Sequence, residues 1–410
     1  MKTLQRLSLV LIMTLLFITL ASCSLDFRDQ ASESPTPIGP GFTPGPILEP
    51  TPEPPRGTTS LKLRAVGDIL MHMPLVNAAS TADGYDFRHF FDDIKPYLEG
   101  ADIAMANLET TISNNEKGYG GYPMFRTPEE ILGALSYAGF NLITTANNHS
   151  FDGREFGVVN TLDKLDQYGL MYTGTARSQE ERDSLLLIEE NDIRVGVLAY
   201  TYGTNGMEVT IPESKRGFMV NLIDKDMIKD DVKRARGEGA EVIIVAIHWG
   251  DEYARNPNSN QEELADFLIS LGVDVIMGSH PHVLQPIEKR RVELEDGKTR
   301  DVVLVYSLGN FISNQIDNQL YPEFQYTDSG AIVELDIVKD YDQDKIYLDN
   351  IAYTPTWVYR YGREGGYDYR VLPVGSYIDE DLGSVAQQRI NEVWNETTNH
   401  LGSEDFTIIE

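Results

Sequence analysis

Between Leu61 and Met277, short runs rich in Val, Ile and Leu alternate with stretches of helical period, and this alternation constrains the fold more than any other feature. Continuous apolar runs fit strands buried on both faces, as in a largely parallel sheet covered by helices. Leu61 to Val66, Asp102 to Ala106, Asn141 to Thr145, Arg194 to Ala199, Val242 to Ile247 and Val273 to Met277 read as strands. Helices are expected from Asp86 to Leu98, Pro128 to Ala138, Arg154 to Tyr168, Asp224 to Arg236 and Gln261 to Ser270. Thr127-Pro128-Glu129-Glu130 has the pattern of an N-cap, a first-turn proline and a capping-box glutamate, and Gly139 supplies the stop. After Val283 the pattern turns antiparallel: a hairpin of Ile287 to Leu294 and Asp301 to Tyr306 about Asp296-Gly297, then strands at Ala331 to Val338 and Ile346 to Tyr353. A last helix is expected from Leu382 to Asn399. The expectation is an α/β protein with two sheets covered by helices.

Five polar clusters punctuate these strands: Gly67-Asp68, Asn107-Leu108-Glu109, Asn147-Asn148-His149, His248-Trp249-Gly250 and Gly278-Ser279-His280-Pro281-His282. Four follow an expected strand and the fifth closes one. In open α/β sheets, ligands bind beyond the carboxyl ends of the strands, so residues scattered over two hundred positions are expected to meet at one site. Four of the seven histidines lie in these clusters. Carboxylates, an Asn carboxamide and imidazoles form a nitrogen and oxygen donor set suited to Mn, Zn or Fe rather than to thiolate metals. A bridging carboxylate flanked by imidazoles can hold two ions about 3.5–4 Å apart, which activate water and clamp a phosphoryl oxygen. Arg126, at the expected helix start, offers a planar fork for a carboxylate or phosphate of a substrate, and Asn310 follows an apolar strand, where it would line the site or shape a turn.

The amino terminus carries a different kind of information. Lys2 and Arg6 precede sixteen uncharged, mostly apolar residues, Leu7 to Ser22, and the run stops at Cys23, the sole cysteine. The run is shorter than the ~20 residues of a membrane span and reads as a signal peptide, residues 1–22. Leu20-Ala21-Ser22-Cys23 resembles the bacterial lipobox, which implies diacylation of Cys23 and an extracytoplasmic, membrane-anchored location. Residues 23–60 read as a linker, because nine of the twenty prolines fall between Pro35 and Pro55. At about 3.1 Å per residue, such a segment reaches roughly 100 Å from a membrane. The formal charge of −30 argues against nucleic acid as a partner, and 41% hydrophobic residues provide for a large core.

Taken in order with Ser307-Leu308-Gly309-Asn310-Phe311, the five clusters resemble the CapA family of capsule synthesis proteins, associated with bacterial poly-γ-glutamate capsules. The resemblance runs from about Leu61 to Ser313. It implies a domain at 61–318, with strands and a helix from 319–410 packing on it, and a fold related to calcineurin-like metallophosphoesterases, a four-layer αββα sandwich. It further implies Asp68 and His282 on a first metal, Glu109 as bridge, and Asn148, His248 and His280 on a second. His149 would assist the leaving group or stabilise the phosphoryl oxygens. Two positions depart from the phosphoesterase pattern: Leu70 stands where it has histidine, with His72 as a substitute ligand, and Glu109 stands where it has aspartate. Two functions follow from the resemblance. One is a metal-dependent hydrolase or transferase acting in capsular or wall polymer biogenesis alongside other capsule synthesis proteins. The other is a non-catalytic component that binds the polymer for export or anchoring.

The lipobox reading has a direct test. Cys23→Ser should leave an unprocessed or soluble protein in membrane fractionation and remove incorporation of labelled palmitate. Wild-type processing and membrane retention would refute it.

Overall fold

The computed structural model describes residues 57–294, 297–316, 322–375, 382–402 and 406–409, all within one compact unit, Pro55–Glu410. The signal peptide, Cys23, nearly all of the Pro-rich segment and Asp296 of the expected hairpin turn lie outside the described residues. Among the described residues, nine strands form a first sheet and six a second. The first sheet runs Gly366–Pro373, Lys345–Arg363, Ser329–Asp340, Thr58–Ile69, Ile103–Leu108, Leu142–Thr144, Met171–Thr173, with Asn310–Ile312 and Thr407–Ile408 attached. The second runs Leu284–Glu293, Thr299–Leu308, Val275–Ser279, Val242–His248, Ile193–Thr201, Leu186–Glu190.

Side-chain alternation along these strands builds three apolar layers. Leu61, Leu63, Ala65, Ile103, Met105 and Leu142 of the first sheet meet Val195, Val197, Ile244, Ala246, Val275 and Met277 of the second. The intervening residues face the other way. Val66, Ala104, Ala106 and Ile143 pack under Leu132 and Leu135 of the Glu130–Ala138 helix and Val158 and Leu162 of the Arg154–Tyr168 helix. Ile243, Val245 and Ile247 pack under Ile228 and Val232 of the Lys225–Gly237 helix and Leu264 and Leu268 of the Ser259–Ser270 helix. The order is helix, sheet, sheet, helix: a four-layer αββα sandwich. It explains why the parallel strands read as unbroken apolar runs, since both faces are dry. No helix among the described residues is long and apolar enough to cross a membrane.

Several expected elements differ. The segment expected as a helix from Asp86 to Leu98 forms two 3₁₀ turns, Arg88–Phe90 and Lys95–Tyr97. Phe87, Phe90, Phe91, Ile94 and Leu98 have helical spacing and are all buried. However, the Asp86 carboxylate accepts from the Arg88 amide (3.0 Å), and Pro96 has no amide to donate. Thr127 is not an N-cap: Arg126–Pro128 is a short strand, Thr127 Oγ1 pairs with Thr110 Oγ1 (2.8 Å), and the helix starts at Glu130 without a side-chain cap. The strand expected to end at Tyr353 continues to Arg363 and turns at Gly365 and Gly366, both at positive φ, into a further strand, Gly366–Pro373. Pro355 masks this continuation in the sequence, yet it sits in register opposite Ala331.

Two glycines let the strand ends crowd together. A Cβ on Gly67 would lie 1.8 Å from the Gly309 carbonyl oxygen, and one on Gly278 would lie 2.0 Å from the Tyr306 oxygen. Gly67→Ala should therefore push apart the first strand and the Gly309 turn at the point where Asp68 donates its amide to Gly309 (3.0 Å). The expected loss is about 1–3 kcal/mol, measured by urea unfolding. Gly362→Ala, with open space around it, should change stability by less than about 0.5 kcal/mol.

Candidate metal centre

The register of the sheets brings the polar clusters together. Asp68 ends the Thr58–Ile69 strand, opposite Asn107 on one side and Asn310 on the other. His248 ends its strand between Thr201 and Ser279. Asn147, Asn148 and His149 follow Leu142–Thr144, and His280 and His282 follow Val275–Ser279. Both of these histidines have positive φ, 99° and 59°, so the chain folds sharply to turn two imidazoles inward.

Asp68 is wholly buried and receives three donors or partners. Asn107 Nδ2 donates to Oδ1 (2.7 Å), while Oδ2 faces the His280 amide (3.3 Å) and His282 Nδ1 (3.1 Å). Asn310 Oδ1 lies 3.1 Å from the same His282 nitrogen. His248 Nδ1 lies 2.9 Å from Ser279 Oγ, and its Nε2 lies 2.9 Å from Asn148 Oδ1 and 3.6 Å from Glu109 Oε1. Glu109 Oε1 is also 3.8 Å from His282 Nε2. Thus Asp68, Glu109, Asn148, His248, His280, His282 and Asn310, singled out on sequence, converge. Their donor atoms fall into overlapping groups: Glu109, His248 and His280; Asp68, Glu109 and His282. Glu109 is common to both.

The electrostatics of these groups would suit a cation. Neither Glu109 oxygen has a hydrogen-bond partner among the described residues, and neither does His280 Nδ1. Burial, then the neighbouring Asp68 carboxylate, pushes the Glu109 carboxyl well above its usual range. Burial, then the facing imidazoles, depresses His248 and takes His280 down to about 3. Neutral imidazoles and a carboxylate lacking donors are what a divalent ion requires of its ligands.

His149 stands beside this group, nearly buried, with Nδ1 2.7 Å from Asp152 Oδ2. The Phe125 amide donates to the same oxygen (2.5 Å), and the Phe125 ring meets His149 edge-on at 4.6 Å. Asp152 was not singled out on sequence; its signal is the spacing of three residues after His149 within one turn. Arg126 donates from Nη1 to the Lys117 carbonyl (3.1 Å) and to no residue of the cluster. His72 lies outside the ligand groups. Its Nδ1 accepts from the Asn314 amide (3.3 Å), and burial takes it down to about 4. Leu70, 1% exposed, offers no donor atom.

The sandwich and the carboxylate–imidazole cluster at its strand ends define a layered α/β protein with a candidate metal centre. Residues 62–315 match the model of the bacterial capsule synthesis protein PGA_cap family, and the chain belongs to that family. It is similar to the capsule biosynthesis protein CapA of Bacillus anthracis, 28% identical over 297 residues covering 69% of this chain and 68% of the relative. It is also 28% identical over 255 residues to the PGA biosynthesis protein CapA of Bacillus subtilis strain 168, covering 61% of this chain and 62% of that protein. Among solved structures, it is similar to a calcineurin-like phosphoesterase, YfkN of Bacillus subtilis, with TM-score 0.39, 14% identity and coverage of 83% and 98%. A Mycoplasma pneumoniae phosphatase gives TM-score 0.41, 14% identity and coverage of 72% and 93%.

The perturbed groups predict a pH profile for the metal-free protein. The Glu109 carboxyl, raised in the fold, contributes stability below the unfolded value near 4.5 that is lost as pH rises toward the folded value. His280, depressed in the fold, contributes stability above 6.5 that is lost as pH falls toward about 3. Glu109→Gln should therefore raise the metal-free melting temperature at neutral pH by a few degrees, flatten only the alkaline limb, and abolish stabilisation by added Mn²⁺. Calorimetry across pH 4–9 reads both effects; an unchanged alkaline limb would contradict the assignment.

Proposed function

We propose that this protein is a lipid-anchored, metal-dependent hydrolase or transferase that acts on a capsular or wall polymer at the outer face of the cell membrane. The observation that carries the metal assignment is the buried Glu109 carboxylate, with no hydrogen-bond partner, set among His248, His282 and the partnerless His280 Nδ1. The family supports the polymer class, and the relatives' names point to poly-γ-glutamate. Lipid anchoring rests on Cys23 and the preceding apolar run.

On this reading Asp68, Glu109, Asn148, His248, His280 and His282 would hold one or two ions of Mn, Zn or Fe. Bound there, such ions supply a water acidic enough to deprotonate near neutral pH and a positive charge for a phosphoryl or acyl oxygen. The protein's own contribution is clearer at His149. With Asp152 accepting from Nδ1, the ring orientation is fixed and Nε2 is left free to take up a proton and, as the imidazolium paired with Asp152, to pass it to a leaving group. The Phe125 ring and amide brace this pair from one side. Tyr202, whose ring stacks 6.2 Å from His248, and Tyr253, 6.1 Å from His282, flank the imidazoles.

Leu70 favours a second reading, since one position that carries histidine in the phosphoesterase pattern has no donor here. In that reading the site holds polymer without turnover. Purified protein should be assayed with a phosphodiester, a phosphomonoester and poly-γ-glutamate in the presence of Mn²⁺. His149→Gln should lower kcat by about 10²–10⁴ with bound metal unchanged, and Asp152→Asn should lower it less while altering its pH profile. Metal binding without turnover of any of the three substrates would favour the second reading.

A further inference from the structure

The two ligand groups are unequally furnished. Glu109, His248 and His280 have Asn148 Oδ1 beside them, 2.9 Å from His248 Nε2. On the Asp68, Glu109 and His282 side, Leu70 contributes nothing and His72 is turned to the Asn314 amide. A carboxylate stands where the two groups meet: an oxygen of Glu252 lies within 4.8 Å of a ring nitrogen of His280, from the first group, and of His282, from the second.

Its position is built by the backbone. The loop that follows His248 is tied to the histidine turn by Trp249, whose amide donates to Ser279 (3.1 Å), and by Tyr253, whose amide donates to Pro281 (2.8 Å). Gly250 has φ 90° at a point where a Cβ would lie 2.7 Å from the Gln261 side chain, and Tyr253 has φ 65°. Two left-handed residues thus bracket Asp251 and Glu252 and direct them differently. Asp251 Oδ2 accepts from Asn258 Nδ2 (2.7 Å), which commits it to the cap of the Ser259–Ser270 helix. Glu252 is exposed and is held near the imidazoles; its charge is among those that raise Glu109.

We propose that Glu252 is a metal ligand, completing the His280–His282 face of the centre from the loop after His248. This rests on the metal-centre reading above, and it draws on two buried groups that lack partners, Glu109 and His280 Nδ1, facing the same space. Coming from the exposed rim, Glu252 gives the centre a third carboxylate. Such a set favours hard, oxygen-preferring ions such as Mn²⁺ over ions that select imidazole and thiolate.

The test is calorimetric titration of the purified protein with Mn²⁺ and Zn²⁺, comparing wild type with Glu252→Gln, Asp251→Asn and His282→Ala. Glu252→Gln should weaken Mn²⁺ binding about 10- to 100-fold, with a metal-free melting temperature equal to wild type, since Glu252 is exposed. Asp251→Asn should bind as wild type does. Wild-type affinity in Glu252→Gln alongside lost affinity in His282→Ala would overturn the role of Glu252 and leave the metal centre standing. Failure of the wild-type protein to bind either ion would overturn both. A matching loss in Asp251→Asn would show that general loop charge, not ligation, is at work and would also overturn the proposal.

Discussion

Burial of Glu109 is the constraint on which the site depends. Moving an unpaired carboxylate out of water costs several kcal/mol even after relaxation, a large share of the roughly 5–15 kcal/mol that holds a domain folded. Burial raises the Glu109 carboxyl and lowers the His248 and His280 imidazoles, so the fold favours the uncharged form of each group. The arrangement survives because the ligands belong to strand ends whose positions are set elsewhere, by the three apolar layers. A cation placed among them reverses the sign of every one of these penalties, so the same packing that strains the empty donor set preorganises it for an ion.

The packing reaches the chemistry through backbone contacts at close range. Gly67 and Gly309 allow the first strand to pass the turn after Thr299–Leu308 at a separation no side chain would permit, and that crossing carries Asp68. Gly278 does the same for the strand that delivers His280 and His282, with Trp249 Nε1 donating to the Tyr306 carbonyl (2.9 Å) behind it. The first sheet supplies Asp68, Glu109, Asn148 and Asn310, and the second supplies His248, His280 and His282, so the ligand set straddles the two sheets. Any slip of one sheet on the other would separate carboxylates from imidazoles. The inter-sheet core formed by Leu63, Ala65, Met105, Ile244 and Met277 therefore sets ligand distances as well as stability.

Much of this was legible in the sequence, for identifiable reasons. Strands dry on both faces leave unbroken Val and Ile runs, and polar residues at their carboxyl ends have no apolar role to explain them, so Asp68, Glu109, His248 and the His280-Pro281-His282 turn stood out. What was missed lacked such a signature. Phe87, Phe90, Phe91, Ile94 and Leu98 carry a helical period because they cover one apolar face, yet two local rules, a side-chain bond from Asp86 and the missing amide of Pro96, prevent the helix. Thr127 has the composition of a cap but is engaged by Thr110, seventeen residues away, which no local pattern reveals. Asp251 and Glu252 are indistinguishable in sequence; only Gly250 and Tyr253, at positive φ, send one to a helix cap and the other toward the imidazoles. Asp152 differs, since its three-residue spacing from His149 was available to inspection.

The charge of the chain bears on what the site can receive. At −30 the protein presents a field unfavourable to a long polyanion, but charges beyond a Debye length of about 8 Å at physiological ionic strength are largely screened. Within that distance the balance is set by Asp68, Glu109 and Glu252 against whatever cation they hold. The ligand set has no cationic side chain, so its own residues do nothing to favour a carboxylate-rich polymer. Holding two divalent ions, the three carboxylates are outweighed and the local sign turns positive. On the proposed reading, metal and an anionic polymer are therefore thermodynamically coupled, each tightening the other's binding by the same factor. On that reading reciprocity ties the buried Glu109 carboxylate to the chemistry of the substrate: the burial that makes Glu109 costly without an ion makes the loaded centre a place on a strongly acidic protein where an anionic chain gains by docking.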